Sequence, residues 1–234
     1  MGHTRIGRLP KTHRWQGVVG LLDQSPDDVA AVAGATVWAA QTRLGRLAGD
    51  PSLTHCFWVL TRLASASRES DFEVALERIG LATSDSGSAL AFISLVSDRV
   101  RIELATHPES EHFSELASLA LRRALSETVG LQGRTLFGSS VEDLQRAFRE
   151  HSTPKEFGEL ARRYFGDFLA RTLRSFVERE LSNNVGNGHG LTGIDDSREF
   201  TSALDLYSRQ SAKIVEQFAS DWYPQRDSNP RSSP

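Results

Sequence analysis

Lysine is almost missing from this chain of 234 residues: Lys11, Lys155 and Lys213 are the whole complement, and arginine supplies the rest of the 27 basic residues. With alanine abundant as well, that bias fits translation from a GC-rich bacterial genome. Cysteine is scarcer still. Cys56 stands alone in an apolar run, which excludes an intrachain disulfide and any paired-thiolate metal site, and points to a reducing cytoplasm. Long hydrophobic runs are lacking: the apolar and small residues from Val29 to Ala40 fall well short of the roughly 20 that a spanning helix needs. The N-terminus has basic residues but no apolar core before a small-residue cleavage site, so no secretory signal is expected and membrane insertion is not. A net charge of -3 gives no global attraction to nucleic acid or to an anionic membrane.

Helical periodicity is what the chain has in quantity. From Thr153 to Val185, Phe157, Leu160, Ala161, Tyr164, Phe165, Phe168, Leu169, Leu173, Phe176, Val177 and Leu181 return at steps of three and four, the spacing of one buried helix face. Thr153 is placed to cap this helix, Pro154 takes its first position, and Glu156 falls where a capping-box acid reaches back. At 1.5 Å per residue it is roughly 45 Å long, and is predicted to be a spine for shorter helices. Beyond the glycine-rich loop 183–195, Asp196 and Glu199 reopen a helix carrying Phe200, Leu204, Tyr207, Ala212, Ile214, Val215, Phe218 and Trp222. The predicted class is all-α, a multi-helix bundle built on a long central helix (about 153–185) packed antiparallel with a C-terminal helix (about 196–223).

The earlier part reads as shorter helices. Trp15, Val18, Val19, Leu21 and Leu22 suggest a short helix, and Ser25-Pro26-Asp27-Asp28 starts another that runs to about Ala48. Asp50-Pro51 opens a further helix through Leu63, predicted to form an antiparallel hairpin with its predecessor. Ser70 and Glu73 mark a helix from Asp71 to Ile79, closed by Gly80, and the polar stretch 82–88 reads as a loop. Residues 89–105 fit a helix by Ile93, Val96, Val100 and Leu104, or a strand by the alternation of Val100, Ile102 and Leu104. Helix is favoured because no pairing strand lies nearby. Pro108 to Val129 is another amphipathic helix, and Ser139 with Glu142 opens a short one. Three segments result: a basic arm at 1–14, one all-α domain at 15–223, and a disordered tail at 224–234. Within the tail, Arg226-Asp227-Ser228-Asn229-Pro230 resembles the translated complement of a transfer-RNA T-arm, which would put the gene beside a tRNA gene and at the edge of a mobile island.

No motif fixes an activity. His107 and His112 bracket two glutamates, but their spacing puts them off a shared helical face, and without HExxH or paired cysteines no metal is expected. His55 beside Cys56 suggests a thiol nucleophile only until their positions about 100° apart on a helix are considered. The loop NNVGNGHGLTGID has no Walker ending, so no nucleotide or other cofactor is expected, and no catalytic residue is assigned. The candidate contacts for a partner or for nucleic acid are Arg5, Arg8, Lys11 and Arg14 in the arm, with Arg162 and Arg163 on the spine, where interspersed acids suggest an ion-paired, solvated face.

The expected function is a non-catalytic helical subunit or adaptor of a bacterial multi-gene system, cytoplasmic, bound to the product of a neighbouring gene or to another copy of itself. A place on a phage-defence island follows if the tail derives from a tRNA gene. The alternative is a nucleic-acid-binding helical protein using the arm and the arginine-bearing faces. A second alternative is an enzyme with a site at the glycine-rich His189 loop, with His189 as base.

Overall fold

Helix starts in this chain are set by short polar side chains that accept the first free amides. The computed structural model describes residues 50–82, 88–106, 113–128, 140–184 and 194–213, together with 16–18, 20–21, 28, 31–32, 34–36 and 38–39 nearer the N-terminus. Among these residues seven helices have defined bounds: α1 (Pro51–Ala66), α2 (Phe72–Glu77), α3 (Ala89–Ala105), α4 (Ser114–Thr128), α5 (Val141–Glu150), α6 (Pro154–Asn184) and α7 (Ile194–Ser211). Helical turns also occur among the described positions before 40, and there is no strand among the described residues. The all-α bundle is therefore the architecture, with none of its described helices long and apolar enough to cross a membrane. The tail and the loop at 82–88, except Ala82 and Ser88, lie outside the described residues.

Asp50 caps α1, its carboxylate accepting from the amides of Ser52 at 2.8 Å and Leu53 at 3.4 Å. Two caps sit one residue later than the sequence suggests. Asp71, not Ser70, accepts the Val74 amide at 3.0 Å, and Ser140, not Ser139, forms a reciprocal capping box with Asp143. Gly80, at φ +77°, turns the chain after α2. Near the N-terminus Asp28 lies outside the helix and its carboxylate accepts the Ala31 amide at 3.0 Å, so this helix begins after Asp28 instead of at Ser25. Phe113 is in a turn and α4 starts at Ser114; the expected start at Pro108 falls outside the described residues.

Residues 89–105 are the helix α3. Ile93, Val96, Val100 and Leu104 are buried while Ile102 is 58% exposed, the opposite of what an alternating strand would require. α6 begins at Pro154, with Thr153 Oγ1 accepting the Glu156 amide at 3.3 Å. α7 begins at Ile194, ahead of the Asp196 start expected from the acid spacing, and its predicted extension to 223 runs beyond the described residues.

α1 occupies the middle, packed against α2, α3, α4, α5 and α6. Its sequence explains this: PSLTHCFWVLTRLASA has one charged residue, Arg62, and buries Leu53, Cys56, Phe57, Val59, Leu60, Leu63 and Ala64. One contiguous core joins these to Phe92 and Ile93 of α3, Leu121 and Leu125 of α4, Phe148 of α5, and Phe157, Leu160, Tyr164 and Phe168 of α6. Each fully buried Phe or Leu contributes roughly 1.5–3 kcal/mol of transfer free energy. Aromatic edges tie the layers, with Phe57 5.7 Å from Phe157 and Phe148 5.9 Å from Phe92 between ring centroids.

α6 is buried on two sides. Phe157, Leu160, Ala161, Tyr164 and Phe168 enter the core, whereas Gly166, Ala170 and Leu173 are buried outside that cluster. α7 packs on α6 with Leu204 and Ser208, and with Ala212 just past its end, a stripe of three residues spaced four apart. Gly166 lies against Arg209 and Ala212, while Arg174 pairs with Asp205 at 2.7 Å, so the two helices run antiparallel.

Candidate functional site: an arginine-lined recess

Between α4, α6 and α7 lies a recess of about 350 Å³, lined by Arg123, Glu127, Glu159, Arg162, Arg163, Asp167 and Arg209. Helical spacing brings the α6 contributors together, since Glu159, Arg162, Arg163 and Asp167 fall within about two turns. α7 supplies the far wall by packing closely over Gly166: a Cβ there would stand 3.4 Å from Arg209 Cα and 3.6 Å from Ala212 Cβ, ordinary van der Waals contact, so alanine also fits while a longer side chain would not. Only a small residue lets the α7 backbone come this near.

The recess is held by ion pairs that cross between helices. Arg123 on α4 donates from Nε to Glu127 at 2.9 Å and from Nη1 to Asp167 on α6 at 3.0 Å. Asp167 takes a second guanidinium, that of Arg171, on its other oxygen, and its side chain is 10% exposed. The hydrogen bond it donates to Glu127 is the main reason that the Arg123 guanidinium is held above its ordinary pKa, ahead of the nearby charge of Asp167.

Arg163 is held differently. Its Nη1 donates to the neutral hydroxyl of Thr128 at 3.2 Å, and it makes no ion pair with a carboxylate among the described residues. Arg209, exposed on α7, likewise has no ion pair among the described residues. Near Arg163, His151 follows α5 and is 8% exposed, with Nδ1 lacking a hydrogen-bond partner among the described residues. Burial pushes the His151 pKa down, and the positive charge of Arg163 pushes it further in the same direction, against weaker opposition from Glu156 and Glu150.

Comparison with protein families, with curated proteins and with solved structures finds no match. The chemistry of the recess therefore has to be read from its own side chains. Guanidinium groups do not lose their protons, so they serve as fixed cations and multi-point hydrogen-bond donors. Paired N–H donors of this kind have the geometry to meet an oxyanion bidentately.

Of the residues singled out in the sequence, Arg162 and Arg163 line the recess, whereas Arg5, Arg8, Lys11, Arg14, His107, His112 and His189 lie outside the described residues. His55 and Cys56 do not form a reactive pair. His55 stacks on Trp58 at 5.7 Å between centroids, and Arg62 sits 5.7 Å from the same ring. Cys56 is buried against the Tyr164 hydroxyl, and loss of solvent pushes its thiol up to about 12. No group of three or more His, Cys, Asp or Glu able to hold a metal occurs among the described residues.

Arg123, Glu127, Glu159 and Asp167 are not among the candidate contacts read from the sequence, and neither is Arg209. Its signal is faint: Asp205 and Arg209 lie one turn apart beside the Leu204, Ser208, Ala212 stripe, so both flank the face that meets α6.

Proposed function

We propose that this chain is a non-catalytic helical binding subunit, an adaptor that grips a protein partner where α4, α6 and α7 meet. The observation that supports this is the pre-formed recess, whose walls are tied by Arg123–Asp167 between α4 and α6 and by Arg174–Asp205 between α6 and α7. A site whose cations are already in place loses little conformational freedom on binding, which is the condition for specific recognition by a small patch. The partner is the product of a neighbouring gene or a second copy of the chain.

The nucleic-acid reading has less support at this recess, because Glu127, Glu159 and Asp167 put carboxylates among the guanidiniums. Tagged full-length chain purified from its native host, with cross-linking and mass spectrometry, tests the proposal. A stoichiometric protein partner, or a second copy, cross-linked to α6 or α7 is the expected result. Recovery of a lone monomer, or of chain held only by nuclease-sensitive material, would refute it.

A further inference from the structure

We infer that the recess receives an oxyanion, carboxylate or phosphoryl, presented by an acidic segment of the protein partner, with Arg163 and Arg209 as the receiving cations. This rests on the reading of the chain as a binding subunit and names what its site recognises.

The cations of the recess divide by their existing partners. Arg123 already serves Glu127 and Asp167, and Arg171 shares Asp167 from just outside. Arg163 instead meets a neutral hydroxyl, that of Thr128, which is itself buried. Arg209 reaches the recess from the opposite wall with no carboxylate on it among the described residues. A guanidinium offers five N–H donors in a planar fork, so both groups retain donors for a bidentate oxyanion. Thr128 holds one fork, and the close packing of the Arg209 backbone over Gly166 sets the position of the other's root.

Size and sign narrow the ligand. A volume of about 350 Å³ admits one or two side chains with their head groups, being at the low end of the roughly 300–1,000 Å³ of small-ligand sites. The three carboxylates on the walls oppose a continuous polyphosphate backbone, which would carry further charges past Glu127, Glu159 and Asp167. An isolated oxyanion on a peptide can meet the two forks without running along those acids. His151 provides a built-in reporter, because an anion on Arg163 removes part of the positive field that disfavours protonation of the ring.

The test is fluorescence anisotropy with the full chain and four labelled probes: a glutamate-rich peptide, the same peptide with a central phosphoserine, its glutamine counterpart, and a single-stranded oligonucleotide. Both acidic peptides are expected to bind, more weakly as salt rises, and whichever binds more tightly identifies the source of the oxyanion. Arg163→Gln with Arg209→Gln should weaken both by at least about tenfold. Arg209→Gln alone, on an exposed position, gives a loss of about threefold or more if the double variant does not fold. Saturation with the tighter peptide should also raise the His151 ring pKa followed by NMR.

Absence of acidic-peptide binding, equal binding of the glutamine peptide, tighter binding of the oligonucleotide, unchanged affinity in the variants, or an unmoved His151 pKa would each overturn the inference. A natural partner that still co-purifies with the double variant would sink the oxyanion site while leaving the binding-subunit reading intact. A wild-type chain without any partner would sink that reading itself.

Discussion

Asp167→Asn removes one charge and almost no volume, at the point where two guanidiniums meet. Its carboxylate is 10% exposed, while the Arg123 and Arg171 side chains are 39% and 29% exposed. A hydrogen bond to a charged group contributes roughly 1.5–3 kcal/mol when sheltered. Exposure of the arginine ends brings each interaction nearer to ~1 kcal/mol. Asparagine keeps one acceptor but leaves Arg123 and Arg171 repelling each other across a neutral group, so the expected loss is about 2 kcal/mol. Urea unfolding followed by far-UV circular dichroism measures it as a shift in midpoint at unchanged slope. A double-mutant cycle with Arg123→Gln isolates the bond between α4 and α6, with an expected coupling of about 1 kcal/mol. An unchanged midpoint, or a coupling indistinguishable from zero, would refute the claim that this carboxylate ties α4 to α6.

Phe148→Ala empties a fully buried site between Phe72 and Phe92, and should cost about 3–5 kcal/mol in the same urea assay; a loss below about 1 kcal/mol would contradict the packing. The folded pKa of His151 lies below 6.5, so the unfolded chain takes up a proton more readily than the folded chain. The neutral ring's contribution is therefore fully present above about pH 6.5 and is lost as pH falls through the folded value. His151→Gln should flatten that part of a plot of urea midpoint against pH, and an unchanged slope would remove His151 from the account. Cys56 should resist a thiol reagent at about pH 8 in the native chain and react on unfolding, since its thiol is pushed up to about 12 and buried. Stoichiometric labelling within seconds in native buffer would show that the thiol is open to solvent.

The long helix α6 was legible because its apolar residues recur with one period and Pro154 marks its first position. α3 was legible only as a choice, since Val100 and Leu104 fit either period while Ile102 fits the alternating one; burial of Val96 and Val100 with exposure of Ile102 decides it. The caps at Asp71 and Ser140 were displaced by one residue because both stretches place two competent cap residues side by side, and local preference does not separate them. Tertiary fit does, by placing Phe72 and Leu76, or Leu144 and Phe148, in the core. The central place of α1 was present in the sequence as near-absence of charge, a weaker signal than the length of α6. The recess was not legible, because periodicity assigns faces within a helix and says nothing about which faces of different helices meet. Arg123, Arg163 and Arg209 come from three helices, and they meet where α7 packs closely over Gly166 and Asp167 pairs with Arg123.

The attachment of α7 separates the fate of the recess from the fate of the body. Leu204 and Ala212 lie outside the contiguous core; among the described residues they meet α6 on a seam with Gly166, Ala170 and Leu173 that also carries the salt link Arg174–Asp205. Damage to that seam is expected to release Arg209 while α1 to α5 keep their own packing. Such a molecule would still express, still show a helical spectrum and still melt cooperatively, yet have lost one jaw of its grip. Screens that score solubility or thermal midpoint would pass it, and only a binding measurement would reveal the loss.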